Sequence, residues 1–112
     1  MHWIHLTHED QLQKIIVRSE EKPQVVFKYS SHCHLSEAIF TQLQKNCCPD
    51  HMDFHFLDLT DHENISNKIS EKFHVTHQSP QILLIKEGIC IYQESNSEIS
   101  LKEIIEHATT IA

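Results

Sequence analysis

The sequence is poor in glycine, in basic residues and in long apolar runs. One glycine occurs in 112 residues, and 39% of the residues are hydrophobic, which excludes collagen-like, linker-rich and disordered chains. No apolar stretch is long enough to span a bilayer, and the N-terminus has neither the basic flank nor the apolar run of a signal peptide. We therefore expect one domain over residues 1–112, located in the cytoplasm, with no membrane partner.

Positive charge is sparse and scattered. Nine Lys and Arg residues stand against sixteen Asp and Glu residues, which leaves a formal net charge of -7 with the histidines neutral. Binding to nucleic acid depends on clustered cations that neutralise phosphates. The sequence therefore predicts no nucleic-acid partner.

Four cysteines are present, at positions 33, 47, 48 and 90. A chain without an export signal matures where thiols are kept reduced, so free thiols are expected in place of two structural disulfides. The useful question is then which cysteine lies where its thiolate is stabilised.

Hydrophobic periodicity predicts alternating strands and helices. Predicted strands cover residues 3–6, 24–29, 54–57, 82–85 and 89–92, and predicted helices run from 7 to 19, from 35 to just before 47, from 64 to 73 and from 100 to 108. Capping boxes are expected at Thr7 with Asp10 and at Ser100 with Glu103. This order predicts an α/β fold in which a sheet is covered by helices on both faces.

Cys33 lies at the junction between the second strand and the second helix. In the first turn of a helix, free N–H groups and the positive end of the dipole favour the anionic form of a thiol. His32 and His34 flank it and would add to this effect when protonated. We interpret Cys33 as the catalytic nucleophile, and the alternative is a small residue that merely starts the helix.

Ser36 occupies the position of the second cysteine in a Cys-x-x-Cys oxidoreductase. A hydroxyl cannot close an internal disulfide, so a mixed disulfide on Cys33 must be resolved by an external thiol. Ordinary hydrogen bonding in the first helical turn is a compatible explanation for the serine. Cys47 and Cys48 lie about 20 Å further along the same predicted helix, and Cys90 has an apolar strand position, so these three are expected to have structural or incidental roles.

Ser79 and Pro80 stand immediately before a predicted buried strand. Proline is tolerated there only as a first residue, and a cis bond is expected. The functional interpretation is that this turn approaches the Cys33 sulfur and holds an extended substrate. The alternative is a plain strand start.

Three segments, 27–36, 65–67 and 77–85, occur in the order found in the YtxJ-like monothiol bacilliredoxins, which this chain resembles over nearly its whole length. The resemblance implies a thioredoxin-like fold with a central mixed sheet. It also implies an enzyme that removes bacillithiol from protein mixed disulfides, with Cys33 as nucleophile, Ser36 at the replaced resolving position and Pro80 in cis. The chain departs from the family at His34, where proline is common, and at residues 95–97, where a Ser-His pair is common.

The same resemblance implies the partners. Bacillithiol is the expected thiol co-substrate, S-bacillithiolated proteins are the expected clients, and a flavin-dependent disulfide reductase is the expected recycling partner. No permanently bound cofactor is expected. The residues expected to contact the thiol or the substrate are His32, His34, Ser36, Ser79 and Pro80.

Eleven histidines raise the question of a metal site. The densest group is His32, Cys33 and His34, but neighbouring side chains diverge and no histidine pair at i, i+4 accompanies them, so no metal site is predicted. The sequence is also compatible with two other functions. One is carriage of an iron-sulfur cluster through Cys33 and a bound thiol, and the other is a thioredoxin-like binding module without catalysis.

Overall fold

The structure, a computed structural model, describes residues 1–47 and 49–109. Strands and helices alternate and then close with a hairpin and a last helix. In chain order they are β1 (Trp3–His5), α1 (Asp10–Arg18), β2 (Gln24–Tyr29), α2 (His34–Gln44), β3 (Asp53–Asp58), α3 (Glu63–Phe73), β4 (Gln81–Lys86), β5 (Ile89–Ser95), a short 3-10 helix (Asn96–Glu98) and α4 (Leu101–Thr109). The predicted order is confirmed, and only the 3-10 helix was not expected.

The five strands form one mixed sheet in the order β1-β3-β2-β4-β5. β1 and β2 both run parallel to β3, whereas β4 is antiparallel to β2 and to β5. In the β2–β4 pair, Lys28 lies opposite Gln81. The end of β2, from which the chain continues towards Cys33, therefore lies beside the start of β4.

The core is divided by the sheet into two layers. On one face, α2 and α4 bury Ile39, Leu43, Ile104 and Ala108 against alternate strand residues. On the other face, α1 and α3 cover the remaining set, which includes Leu12, Ile15, Ile65, Ile69 and Phe73. Residues 82–85 of β4 have no exposed surface because helices cover both faces.

Capping differs between the first and the last helix. Ser100 Oγ accepts a hydrogen bond of 3.2 Å from the Glu103 N–H, which confirms the capping expected there. The capping box expected at Thr7 and Asp10 is wrong, because α1 begins at Asp10 itself. No side-chain hydrogen bond caps α1. Gln11 instead holds the segment before the helix, since its Oε1 accepts the N–H groups of Thr7 at 2.8 Å and His8 at 3.0 Å.

Candidate active site

Cys33 stands immediately before α2, one position earlier than the first-turn place expected from the sequence. Its backbone is extended, with φ -117° and ψ 114°, and the residue is partly exposed. No side-chain capping bond closes this end of the helix. The first amide groups of α2, which have no partner within the helix, are therefore available to the Cys33 sulfur.

Those groups change the ionisation of the thiol. The backbone N–H of Ser36 and then its hydroxyl lower the pKa of Cys33, with a smaller contribution from the N–H of Leu35. Partial desolvation opposes them by raising the pKa, and the net direction is downward. A lowered pKa increases the fraction of thiolate, which is the nucleophilic form.

Ser36 is completely buried beneath this site. Its Oγ accepts the N–H of Ser30 at 3.3 Å, in the loop that leads to Cys33. An oxygen that accepts one hydrogen bond keeps its own proton to donate, here to the Cys33 sulfur. The serine thus closes the loop and contacts the sulfur with the same hydroxyl.

His32 and His34 are both exposed at the start of α2. The backbone N–H of His32 donates to Ser30 Oγ at 3.3 Å, which shapes the loop. The predicted help of their rings to the thiolate stays a prediction. Within residues 1–47 and 49–109, no group of three or more His, Cys, Asp or Glu side chains is arranged to hold a metal ion.

The peptide bond between Ser79 and Pro80 is cis, as expected from the sequence. Pro80 is buried, and its carbonyl accepts the N–H of Asn96 at 3.1 Å. Because Gln81 pairs with Lys28, this turn lies at the same end of the sheet as the loop to Cys33. Ser79 Oγ is buried and has no hydrogen-bond partner among the described residues.

The other cysteines lie in different surroundings. Cys47 is exposed beyond the end of α2, a helix that spans about 16 Å at 1.5 Å per residue. Cys90 packs against the α1–α3 layer, and burial raises the pKa of its thiol. Cys33, Cys47 and Cys90 are free thiols. Cys48 lies outside the described residues, so its expected role stays a prediction.

A buried polar cluster beside the Ser79–Pro80 turn was not predicted from the sequence. Lys28 has no exposed surface, and its Nζ lies 3.3 Å from His77 Nδ1. The Oγ of Ser66, on α3, lies 3.1 Å from the same nitrogen. One signal was present in the sequence, namely a lysine inside a strand predicted to be buried on both faces.

Comparison with known proteins agrees with this arrangement. Residues 4–104 match the family described as "Monothiol bacilliredoxin BrxC". The chain belongs to the monothiol bacilliredoxin family. The resemblance found in the sequence is thereby confirmed.

Solved structures of other proteins have the same fold as this bacilliredoxin. A protein with a thioredoxin fold is 26% identical, with a TM-score of 0.79 over 93% of this chain and 91% of the other. The thioredoxin of Malassezia sympodialis is 16% identical, with a TM-score of 0.76 over 97% and 98% of the two chains. That of Fasciola hepatica is 24% identical, with a TM-score of 0.72 over 92% and 97%. The chain therefore has a thioredoxin-like fold, and family and fold together support a thiol redox function.

Proposed function

We propose that this bacilliredoxin removes bacillithiol from protein mixed disulfides by monothiol exchange. The Cys33 thiolate attacks the bacillithiol sulfur of the mixed disulfide. The bond between that sulfur and the client cysteine breaks, and the client leaves as a thiolate that takes a proton from water. Cys33 then carries bacillithiol, and the client cysteine is reduced.

A second thiol must complete the cycle. The thiolate of free bacillithiol attacks the bacillithiol sulfur held by Cys33, which releases oxidised bacillithiol and restores the Cys33 thiol. Two electrons from a flavin-dependent disulfide reductase return the oxidised bacillithiol to two thiols. No permanently bound cofactor is needed, and the reaction belongs in the cytoplasm, where reduced thiols are maintained.

The observation that carries the proposal is the surroundings of the Cys33 sulfur. The N–H and hydroxyl of Ser36 lower the pKa of Cys33 and so favour the attacking thiolate. Ser36 cannot form a disulfide, and the length of α2 separates Cys33 from Cys47. These two facts support resolution by an external thiol.

The test is transfer of bacillithiol from a defined client. The reduced protein is mixed with a client that carries one bacillithiol mixed disulfide, the reaction is quenched, and each cysteine is mapped by intact and peptide mass spectrometry. One bacillithiol on Cys33 and a reduced client are expected. Cys33→Ala should abolish transfer, and Cys90→Ser, which changes a thiol whose pKa is raised, serves as the matched control and should keep it.

Three results would contradict the proposal. A client that keeps its adduct while Cys33 stays free would exclude removal of bacillithiol. Visible absorbance in freshly isolated protein that disappears in Cys33→Ala would favour an iron-sulfur cluster carrier. A Cys33→Ser variant with full function in cells would favour a non-catalytic binding module.

A further inference from the structure

The segment between α3 and the cis turn is held by a lysine with no exposed surface. Lys28 and Ser66 both lie against Nδ1 of His77, at 3.3 Å and 3.1 Å. Among residues 1–47 and 49–109, none of the ion pairs includes Lys28. A buried ammonium group without a carboxylate is costly, so the cluster needs an explanation other than stability.

The position of Lys28 links it to both sides of the turn. Its backbone lies opposite Gln81, directly after Pro80, and its side chain reaches His77, three residues before Pro80. The side chain of Gln81 also crosses the turn, because its Nε2 donates to the carbonyl of Thr76 at 3.0 Å. The backbone on either side of the turn is therefore fixed from β2 and β4.

The hydrogen-bond chemistry then selects one form of the His77 ring. An ammonium group has three donors and no acceptor, so Lys28 can only donate to Nδ1. Desolvation and the nearby Lys28 charge lower the pKa of His77, although Glu63 opposes them, which favours the neutral ring at neutral pH. A neutral ring that accepts at Nδ1 must carry its proton on Nε2.

The Nε2–H of His77 is free to bind a ligand. His77 is exposed, and the hydrogen bonds of its ring within the described part of the chain all involve Nδ1. A positive charge behind the ring strengthens the opposite N–H as a donor and favours an anionic acceptor. The donor lies at the same end of the sheet as the loop to Cys33.

We propose that Lys28 is a positioning residue that holds His77 as its Nε2–H tautomer, and that this N–H binds a carboxylate of the low-molecular-weight thiol in the mixed disulfide. The inference rests on the proposed exchange function and adds the group by which the small thiol is recognised. His77 is the binding residue, and Lys28 acts through it.

The first test is the tautomer, which is read without any activity. In the full-length protein labelled with nitrogen-15, long-range correlation spectra separate protonated from unprotonated ring nitrogens, and His77→Gln assigns the signals. Nε2–H is expected in the native protein. Lys28→Met should give a mixture of tautomers, because Ser66 can then also accept a bond from Nδ1–H. An Nδ1–H ring in the native protein, or an unchanged ring in Lys28→Met, would overturn the proposal.

The second test separates recognition of the carboxylate from exchange itself. One client peptide is prepared with bacillithiol, which carries carboxylates, and with 2-mercaptoethanol, which carries none. His77→Phe should raise KM for the bacillithiol disulfide about tenfold, the loss expected for one hydrogen bond to a charged group, and leave the 2-mercaptoethanol disulfide unchanged. His77→Gln keeps a side-chain N–H donor and should restore most of the affinity. His8→Phe, at an exposed histidine before α1, is the matched control.

The outcomes distinguish the two proposals. No transfer from either disulfide to the native protein would refute the proposed function, whatever the tautomer. Transfer from both, with equal loss in His77→Phe, would keep the function and refute recognition through His77. A His77→Gln variant as weak as His77→Phe would show that the N–H donor is not the group that binds.

Discussion

Ser36 serves two groups with one hydroxyl. It accepts the N–H of Ser30 at 3.3 Å and contacts the sulfur of Cys33, so loop closure and thiolate stabilisation are combined in a completely buried side chain. A cysteine at this position would supply a second thiol but would be a weaker partner for the backbone N–H. Serine is therefore the stronger hydrogen-bonding residue of the two at this position.

Ser36→Ala is expected to raise the pKa of Cys33, but not to its ordinary value, because the backbone N–H groups of residues 35 and 36 remain. The measurement is the rate of alkylation of Cys33 as a function of pH. The variant should also lose about 1 kcal/mol of unfolding free energy, because the N–H of Ser30 is left without its partner. Ser70→Ala is the control, since Ser70 Oγ is buried with no hydrogen-bond partner among the described residues. An unchanged pKa would show that the hydroxyl has no influence on the thiolate.

The sequence predicted the positions of some individual residues and not those of others. The sequence placed Cys33 at the junction of a strand and a helix and Pro80 at the start of a strand, and the cis bond before Pro80 was confirmed. The role of Cys33 as nucleophile stays a prediction. Lys28 and His77 were missed because their contact joins residues 49 positions apart. That contact depends on how the segment before β4 passes over the end of β2, which no local pattern contains.

At the level of secondary-structure elements, the start of α1 shows what the sequence could not predict. Thr7 and Asp10 have the spacing of a capping box, but the same polar segment contains Gln11, whose longer side chain reaches back over the turn. Gln11 Nε2 donates to the carbonyl of His5 at 3.0 Å, and its Oε1 accepts two backbone N–H groups. One side chain thus joins the end of β1 to α1, an arrangement that spacing rules for short polar residues do not describe.

Gln11→Ala should therefore destabilise the protein more than Asp10→Ala does. The loss of two accepted N–H groups and one donated bond is expected to cost about 1–2 kcal/mol of unfolding free energy. Asp10→Ala removes only an acidic side chain from the first turn of α1 and should cost about 0.5 kcal/mol. Urea denaturation of both variants provides the comparison. Equal losses would mean that the hydrogen bonds of Gln11 to the segment before α1 add nothing to stability.

At the scale of the whole molecule, helices on both faces of the sheet make some strand side chains fully buried, polar ones included. The alternation of strands and helices predicted this two-faced sheet, but the strand order β1-β3-β2-β4-β5 depends on long-range pairing that local periodicity does not encode. The buried polar residues follow from that order. Gln24 and His55 meet across β2 and β3, with His55 Nε2 at 2.8 Å from Gln24 Oε1.

His55 should make the protein sensitive to acid. Desolvation by burial lowers the pKa of His55 from 6.5 to about 4, so the unfolded chain binds a proton more readily than the folded one between these values. Stability should fall as the pH decreases through this window, by up to about 3 kcal/mol. Urea unfolding at several pH values should show that the unfolding free energy decreases less in His55→Gln than in the native protein. In His8→Gln it should decrease as much as in the native protein. An identical slope in all three proteins would exclude His55 as the cause.

Lys28 is expected to destabilise the folded protein at neutral pH while it serves the proposed recognition of the substrate. Burial lowers its pKa from 10.5 to about 8, so below pH 8 the folded protein keeps a charge that is costly to bury. The unfolded chain binds more protons between pH 8 and pH 10.5, and stability should rise with pH across that interval. The cost at pH 7 is about 3 kcal/mol, from about 1.4 kcal/mol for each pKa unit.

Lys28→Met is consequently expected to be more stable than the native protein at pH 7, by up to about 3 kcal/mol, with the gain lost above about pH 10.5. Lys72→Met, at an exposed lysine on α3, should change neither stability nor its pH dependence. Unfolding free energies at pH 7 and pH 10, measured with KM for the bacillithiol disulfide, test the two effects together. Higher stability with weaker recognition would mean that the chain keeps a destabilising charge for the sake of its substrate. Lower stability at pH 7 would instead make Lys28 a structural residue.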